Sequence, residues 1–280
     1  MRKLKKILMV ILILTLTFAM AACKENVENE ETNTGDGSLQ RVLDAGKLSV
    51  GCEGNWVPYI YNEDGTGELV GFEVEIAKEI ASRLGVEADF NVASQWDGVI
   101  AGLDAKRYDT VICGTNPNPE RKEKYYMTLS YAESPIALVV AKDNTEITGF
   151  DKLEGKLCAN SLTSSSGQIA RNYGAELSDC NLTQAMDLLV TGRADAHVNN
   201  LTSIVEFLKE KPDTKVKVAA IYEPENSYEI ESAAMFRKED EELGKEVDKI
   251  IQEMIDDGTC YNLAEKYFGK EVADNTKIYQ

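Results

Sequence analysis

At 280 residues the chain is long enough for one large domain or two modest ones, and its 43% apolar content is that of a protein able to bury a core. The formal charge is −18, and removing the four leader cations Arg2, Lys3, Lys5 and Lys6 takes it to −22. Phosphate binding needs a basic face, so this balance excludes nucleic acid as a partner.

Residues 1–22 read as an export signal, with MRKLKK as the cationic region and ILMVILILTLTFAMAA as the apolar one. That run is short of the ~20 residues a membrane span needs; an uncleaved anchor is the alternative. The stretch 23–38 is acidic and polar, the composition of a flexible tether, and the fold begins near Leu39. KLSVGCE reads as a strand. GFEVEIAKEIASRLG reads as a helix because Phe72, Ile76, Ile80 and Leu84 recur four apart and Gly85 stops it. VEADFNV is then a strand, WDGVIAGLDAKR a helix, and YDTVICGT a strand opening onto the loop NPNPERKEK. This is the order of a parallel α/β sheet.

A second series follows. SPIALVVAKD and GKLCAN are strands, and the hydroxyl-rich LTSSSG begins a helix running to Gly174. NLTQAMDLLVTGR is helical, ADAHVNN is a strand, and LTSIVEFLKEK is a helix; EELGKEVDKIIQEMIDDG and TCYNLAEKYFG form a terminal helical pair. Ligands of such sheets sit at the C-terminal ends of the strands. Beyond Cys23 the cysteines are Cys52, Cys113, Cys158, Cys180 and Cys260, an odd number without CxxC spacing, so metal and redox motifs are not supported. They read as small buried residues, with a Cys158 to Cys180 disulfide as the alternative. No phosphate loop or nucleophile elbow occurs, no cofactor or metal is expected, and the sole histidine, His197, reads as packed or surface rather than catalytic.

The segments WVPY (56–59), GFEVEIAKEIA (71–81), WDGVIAGL (96–103), DTVICGTNPNPER (109–121), GRADAHVNN (192–200) and DGTCYNLAEKYFG (257–269), in this order, resemble the family 3 extracellular solute-binding proteins that feed amino acids to ABC importers. The resemblance implies an α/β, two-lobed periplasmic-binding-protein-like fold of type II, each lobe a central sheet flanked by helices and the two joined by a two-strand hinge. Lobe 1 would comprise residues 39–131 and 229–280, and lobe 2 residues 132–228. The chain would cross near Tyr131 to Pro135 and return near Asn226 to Glu231. The implied function is extracytoplasmic capture of a small amino acid or derivative, without enzymatic chemistry, by a monomer docking on the membrane subunits of an ABC permease. Ala21-Ala22-Cys23 also resembles a lipoprotein box, with Met20 where leucine is usual, which would make Cys23 an acylated N-terminus tethered to the membrane.

By the same resemblance Arg121 takes the ligand's α-carboxylate, a role suited to a planar guanidinium that pairs both oxygens, while the prolines stiffen its loop. Thr163 and Ser164 fall on ligand-contacting positions where helix-start N–H groups attract anions, and an ordinary helix cap is compatible with that. Trp56 and Trp96 fall where aromatic residues flank the ligand, and Glu53 where a carboxylate reads its side chain. Gly114 and Asn116 lie in the ligand loop; Asn118 reads as a turn residue.

The sequence departs from the family at Asn200, where an aspartate usually neutralises the ligand's α-ammonium. Either another carboxylate, Glu53 or Glu223, compensates, or the ligand lacks a simple primary ammonium; Asn200 as the cap of the following helix is the structural alternative. Two rival functions stand beside capture for transport: a dehydratase-like enzyme on the same scaffold, with Glu53 or Glu223 as acid, and a solute-sensing accessory protein.

Overall fold

The computed structural model describes residues 35–280, so the export signal, Cys23 and nearly all of the tether lie outside the described residues. A short helix, α1 (Ser38–Ala45), leads into β1 (Lys47–Cys52). Helix α2 (Phe72–Leu84) ends on Gly85 in the left-handed region, as its apolar spacing predicts. Between β1 and α2 lies a small meander, β2 (Asn55–Trp56), β3 (Ile60–Asn62) and β4 (Leu69–Val70), which periodicity does not reveal. Then come β5 (Glu87–Val92), α3 (Trp96–Asp104) and β6 (Thr110–Thr115).

The first sheet has the order β5–β1–β6–β13–β7, with β7 spanning Tyr125–Glu133 and β13 Glu231–Arg237. Strands β5, β1 and β6 pair in parallel, but β13 inserts antiparallel between β6 and β7, so the sheet is mixed rather than wholly parallel. Alternation along β6 and β13 sends residues to two apolar layers. Ile112 and Phe236 pack with Phe72, Ile76 and Ile80, whereas Val111 and Met235 pack with Val99 and Leu103. Helices thus cover both faces of this sheet. The terminal pair is present as α8 (Glu241–Asp256) and α9 (Thr259–Phe268), followed by a further short helix, α10 (Lys270–Asn275).

The second sheet is built on β8 (Ile136–Ala141), flanked antiparallel by β11 (His197–Asn200) and β12 (Val216–Ile221). A parallel pair, β9 (Leu157–Ala159) and β10 (Glu176–Ser178), joins it through a bridge between Cys158 and Ala196. Ile136, Leu138 and Val140 face one apolar cluster with Phe150 and Leu153, and Val139 faces another with Met186, Leu189 and Ile204. Around it stand α5 (Ser165–Asn172), α6 (Leu182–Val190) and α7 (Leu201–Glu210). The two crossings between the sheets run side by side: Glu133 stands opposite Glu231, and the Ser134 N–H donates to the Ile230 carbonyl at 2.7 Å.

Two readings of the sequence need correcting. Arg121 does not close an open loop; it lies within a short helix, α4 (Pro119–Lys124), with Pro119 in the first turn and Asn118 Oδ1 accepting the Arg121 N–H at 2.9 Å. The Cys158 to Cys180 disulfide is absent, and all five described cysteines are buried free thiols.

Candidate functional site

Two carbonyl-side strand ends, β1 and β6, open toward the loop between β9 and α5 and toward the end of β11. Between them lies a cleft with an empty volume of about 740 Å³ that includes its open mouth. Glu53, Trp56, Trp96, Gly114, Asn116 and Arg121 line it from the side of the first sheet. Ser164, Ser165, Ser166, His197, Asn199 and Asn200 line it from the other.

The first turn of α4 aims Arg121 into this cleft. The residue is 9% exposed. Its Nη1 donates to the Asn116 carbonyl at 3.1 Å and to Ser165 Oγ at 2.9 Å, and its Nη2 donates to the Thr163 carbonyl at 3.1 Å. A guanidinium has five N–H groups, so two remain to be used. No carboxylate of the described residues lies within ion-pair distance of it. Burial lowers its pKa to about 10, which still leaves it a cation at neutral pH. A desolvated charge with only neutral partners favours an incoming anion.

The tryptophans form an aromatic wall. The Arg121 guanidinium carbon lies 5.4 Å from the centroid of the Trp96 ring, a cation–π contact. Trp96 is 8% exposed and its Nε1 is buried with no partner in the protein. Trp56 stacks on Tyr59 with centroids 4.2 Å apart and its far edge presses on Gly114. Gly114 has φ +58°, and a Cβ there would come within 2.2 Å of Trp56 Cη2; the glycine is what lets the indole lie against the strand end.

The other predicted residues divide. Asn116 lines the cleft, but its Nδ2 is committed to the Glu229 and Glu231 carbonyls at 3.1 and 2.6 Å, so it ties the ligand loop to the returning strand. Ser164 is the N-cap of α5, its Oγ accepting the Gly167 N–H at 3.0 Å, and it also faces the cleft. Thr163 does not line the cleft: its hydroxyl and N–H both turn to Asp97 Oδ1, and only its carbonyl reaches Arg121. Asn200 lines the cleft and stands at the cap position of α7 without a side-chain capping bond. Glu53 lines the cleft, and burial followed by the neighbouring Asp97 raises its carboxyl to about 7. Glu223 is exposed and lies outside the cleft lining.

Reasoning from the sequence missed Asp97, Ser165, Ser166 and Asn199. The serine run was the available signal for two of them. His197 is packed, as expected, at 2% exposure, but it also forms part of the cleft wall. Its Nδ1 meets the Ala159 carbonyl at 2.5 Å and its Nε2 meets Asn199 Nδ2 at 3.2 Å. The carbonyl requires a proton on Nδ1, so Nε2 accepts from the Asn199 amide. Burial lowers the imidazole to about 4, which keeps it neutral.

Comparison with known proteins accords with this geometry. The L-cystine-binding protein TcyA of Bacillus subtilis is 34% identical over 273 residues, covering 96% of this chain and 99% of that protein. Among solved structures, an ancestral arginine-binding protein bound to arginine superposes with a TM-score of 0.71 at 32% identity, covering 80% of this chain and 99% of that one. The L-cystine solute receptor of Neisseria gonorrhoeae, in an unliganded open conformation, superposes with a TM-score of 0.53 at 31% identity, covering 84% and 98%. Residues 48–270 match the pattern of the family described as bacterial extracellular solute-binding proteins, family 3. With sheets of this order meeting at such a cleft and a match over most of its length, the chain belongs to the family 3 bacterial extracellular solute-binding proteins.

Proposed function

We propose that the chain is the extracytoplasmic substrate-binding component of an ABC importer, and that it captures a small amino acid or derivative by its α-carboxylate in the cleft between two lobes. The observation that carries this reading is Arg121: a buried guanidinium on the cleft wall, free of acidic partners, with donors left over. The named binding functions of its relatives, L-cystine and arginine, both involve ligands with an α-carboxylate.

Capture works by closure. Lobe 1 comprises residues 39–131 and 229–280 in this reading, lobe 2 residues 132–228, and the paired crossings act as the hinge. Arg121 belongs to one lobe and its partners Ser165 and Thr163 to the other, so these bonds exist when the cleft is shut. Two neighbours of nearly equal identity support a closed arrangement here, because the ligand-bound one superposes better than the open one. A ligand that touches both lobes stabilises closure by its differential affinity for the closed state. The closed form then docks on the permease, and an acylated Cys23 would keep a monomer at the membrane.

Calorimetric titration of the mature chain tests this directly, using each L-amino acid beside the amine that lacks its carboxylate. Leaving the buried guanidinium unpaired costs about 2–5 kcal/mol, so the amine should bind at least about thirtyfold more weakly. An amine that binds as tightly as its parent amino acid would overturn the assignment.

A further inference from the structure

The cleft contains a second charged group that nothing in the protein satisfies. Glu53 stands immediately after β1, half-buried in the cleft wall, and among the described residues its carboxylate accepts no hydrogen bond and enters no ion pair. The remaining lining groups are amides, hydroxyls, thiols, indoles, apolar side chains and the neutral His197. Arg121 and Glu53 are therefore the two charges facing the cleft, one of each sign.

We propose that Glu53 pairs with the α-ammonium of the ligand, and that the cleft thereby takes amino acids whose side chains carry no net charge. The inference rests on the amino-acid reading above and deepens it. An α-amino acid presents one carboxylate and one ammonium, and the cleft offers one unpartnered counterpart to each. Asn200 faces the same space but is a neutral amide and cannot supply the missing charge. Once Glu53 is engaged, a cationic side chain meets no second carboxylate on the cleft wall, and an anionic one meets no second cation. Burying either charge unpaired is strongly unfavourable. Asp97 lies near enough to act on Glu53, but its Oδ1 is occupied by Ser161 and Thr163. The other titratable neighbours of Glu53 are the thiols of Cys52 and Cys113, which burial keeps protonated. A ligand ammonium at Glu53 favours the ionised carboxylate, so capture and ionisation reinforce one another.

The test is calorimetry on the mature, ligand-free chain with the proteinogenic L-amino acids and L-cystine, repeated for Glu53→Gln. An amino acid with no net side-chain charge should bind tightest, with arginine, lysine, aspartate and glutamate at least about tenfold weaker; Glu53→Gln should weaken the tightest ligand about tenfold. The des-amino acid corresponding to that ligand should bind the wild type and Glu53→Gln equally, which a merely structural role for Glu53 would not produce. A charged amino acid as tightest ligand, an unchanged affinity in Glu53→Gln, or an equal loss for the des-amino acid would overturn the inference while leaving the amino-acid reading in place. Failure of every amino acid to bind would overturn both.

Discussion

Asp97, in the first turn of α3, accepts a hydrogen bond from the Ser161 hydroxyl at 2.9 Å, joining an element packed on the first sheet to the loop that follows β9 in the second. The same carboxylate oxygen takes the Thr163 N–H at 3.2 Å and the Thr163 hydroxyl. None of these bonds needs a ligand, so on the closure proposed above Asp97 would act as a latch.

Removing the latch should penalise closure, and it also removes the charge that, after burial, raises the Glu53 carboxyl. For Asp97→Ala we expect affinity to fall about 5- to 30-fold, the equivalent of roughly 1–2 kcal/mol for charged bonds exchanged with water. Small-angle scattering should show a larger radius of gyration for the ligand-free variant than for the ligand-free wild type. Unchanged affinity and radius together would show that the latch does not contribute.

Gly114 should be intolerant of any side chain. Gly114→Ala combines a φ of +58° with a methyl 2.2 Å from Trp56 Cη2, so the indole would have to move off the strand end. The expected result is loss of binding by at least about tenfold, together with destabilisation of about 1–3 kcal/mol from overpacking and strain. Both are measurable by calorimetry and urea unfolding, and a variant that binds normally would contradict the packing described.

Stability should depend on pH through groups inside and beneath the cleft. Glu73 is 0% exposed, its Oε2 accepting the Tyr131 hydroxyl at 2.5 Å while Oε1 has no partner. Burial raises Glu73 to about 7 from its ordinary 4.5 and raises Glu53 likewise to about 7. Each carboxyl holds its proton more tightly folded than unfolded, so its contribution is full below pH 4.5 and is lost as pH climbs through 7. His197 acts in the opposite sense: with its pKa lowered from 6.5 to about 4, its contribution is full above 6.5 and is lost as pH falls toward 4.

The Glu73 contribution can be isolated by difference. Relative to wild type, Glu73→Gln should gain roughly 2–3 kcal/mol in unfolding free energy between pH 5 and 8. Urea titrations of the ligand-free protein at several pH values measure this. A difference independent of pH would show that folding leaves the ionisation of Glu73 unshifted, contradicting the burial argument.

Much of the fold is legible in the sequence where pattern and stop signal coincide. Helix α2 is the clearest case, because Phe72, Ile76 and Ile80 form one buried stripe and Gly85 ends it. Strand β13 escapes such reading. ESAAMFR has no alternation, being buried on both faces, and its partners lie about a hundred residues or more earlier in the chain. The site divides in the same way. Arg121 and the tryptophans are visible as motif positions, but Asp97 acts through contacts made only when segments more than sixty residues apart meet. Thr163 shows the converse limit: its residue type suits a ligand contact, yet the neighbouring Asp97 claims its hydroxyl.

The most direct measurement is calorimetric titration of Arg121→Ala and Arg121→Lys with the tightest amino acid of the wild type, alongside unfolding curves that establish both variants are folded. The account predicts that Arg121→Ala loses at least about a hundredfold in affinity, and that lysine, lacking the planar fork, recovers only part of it. A folded Arg121→Ala that binds the amino acid as tightly as the wild type would contradict the claim that this guanidinium holds the ligand's carboxylate.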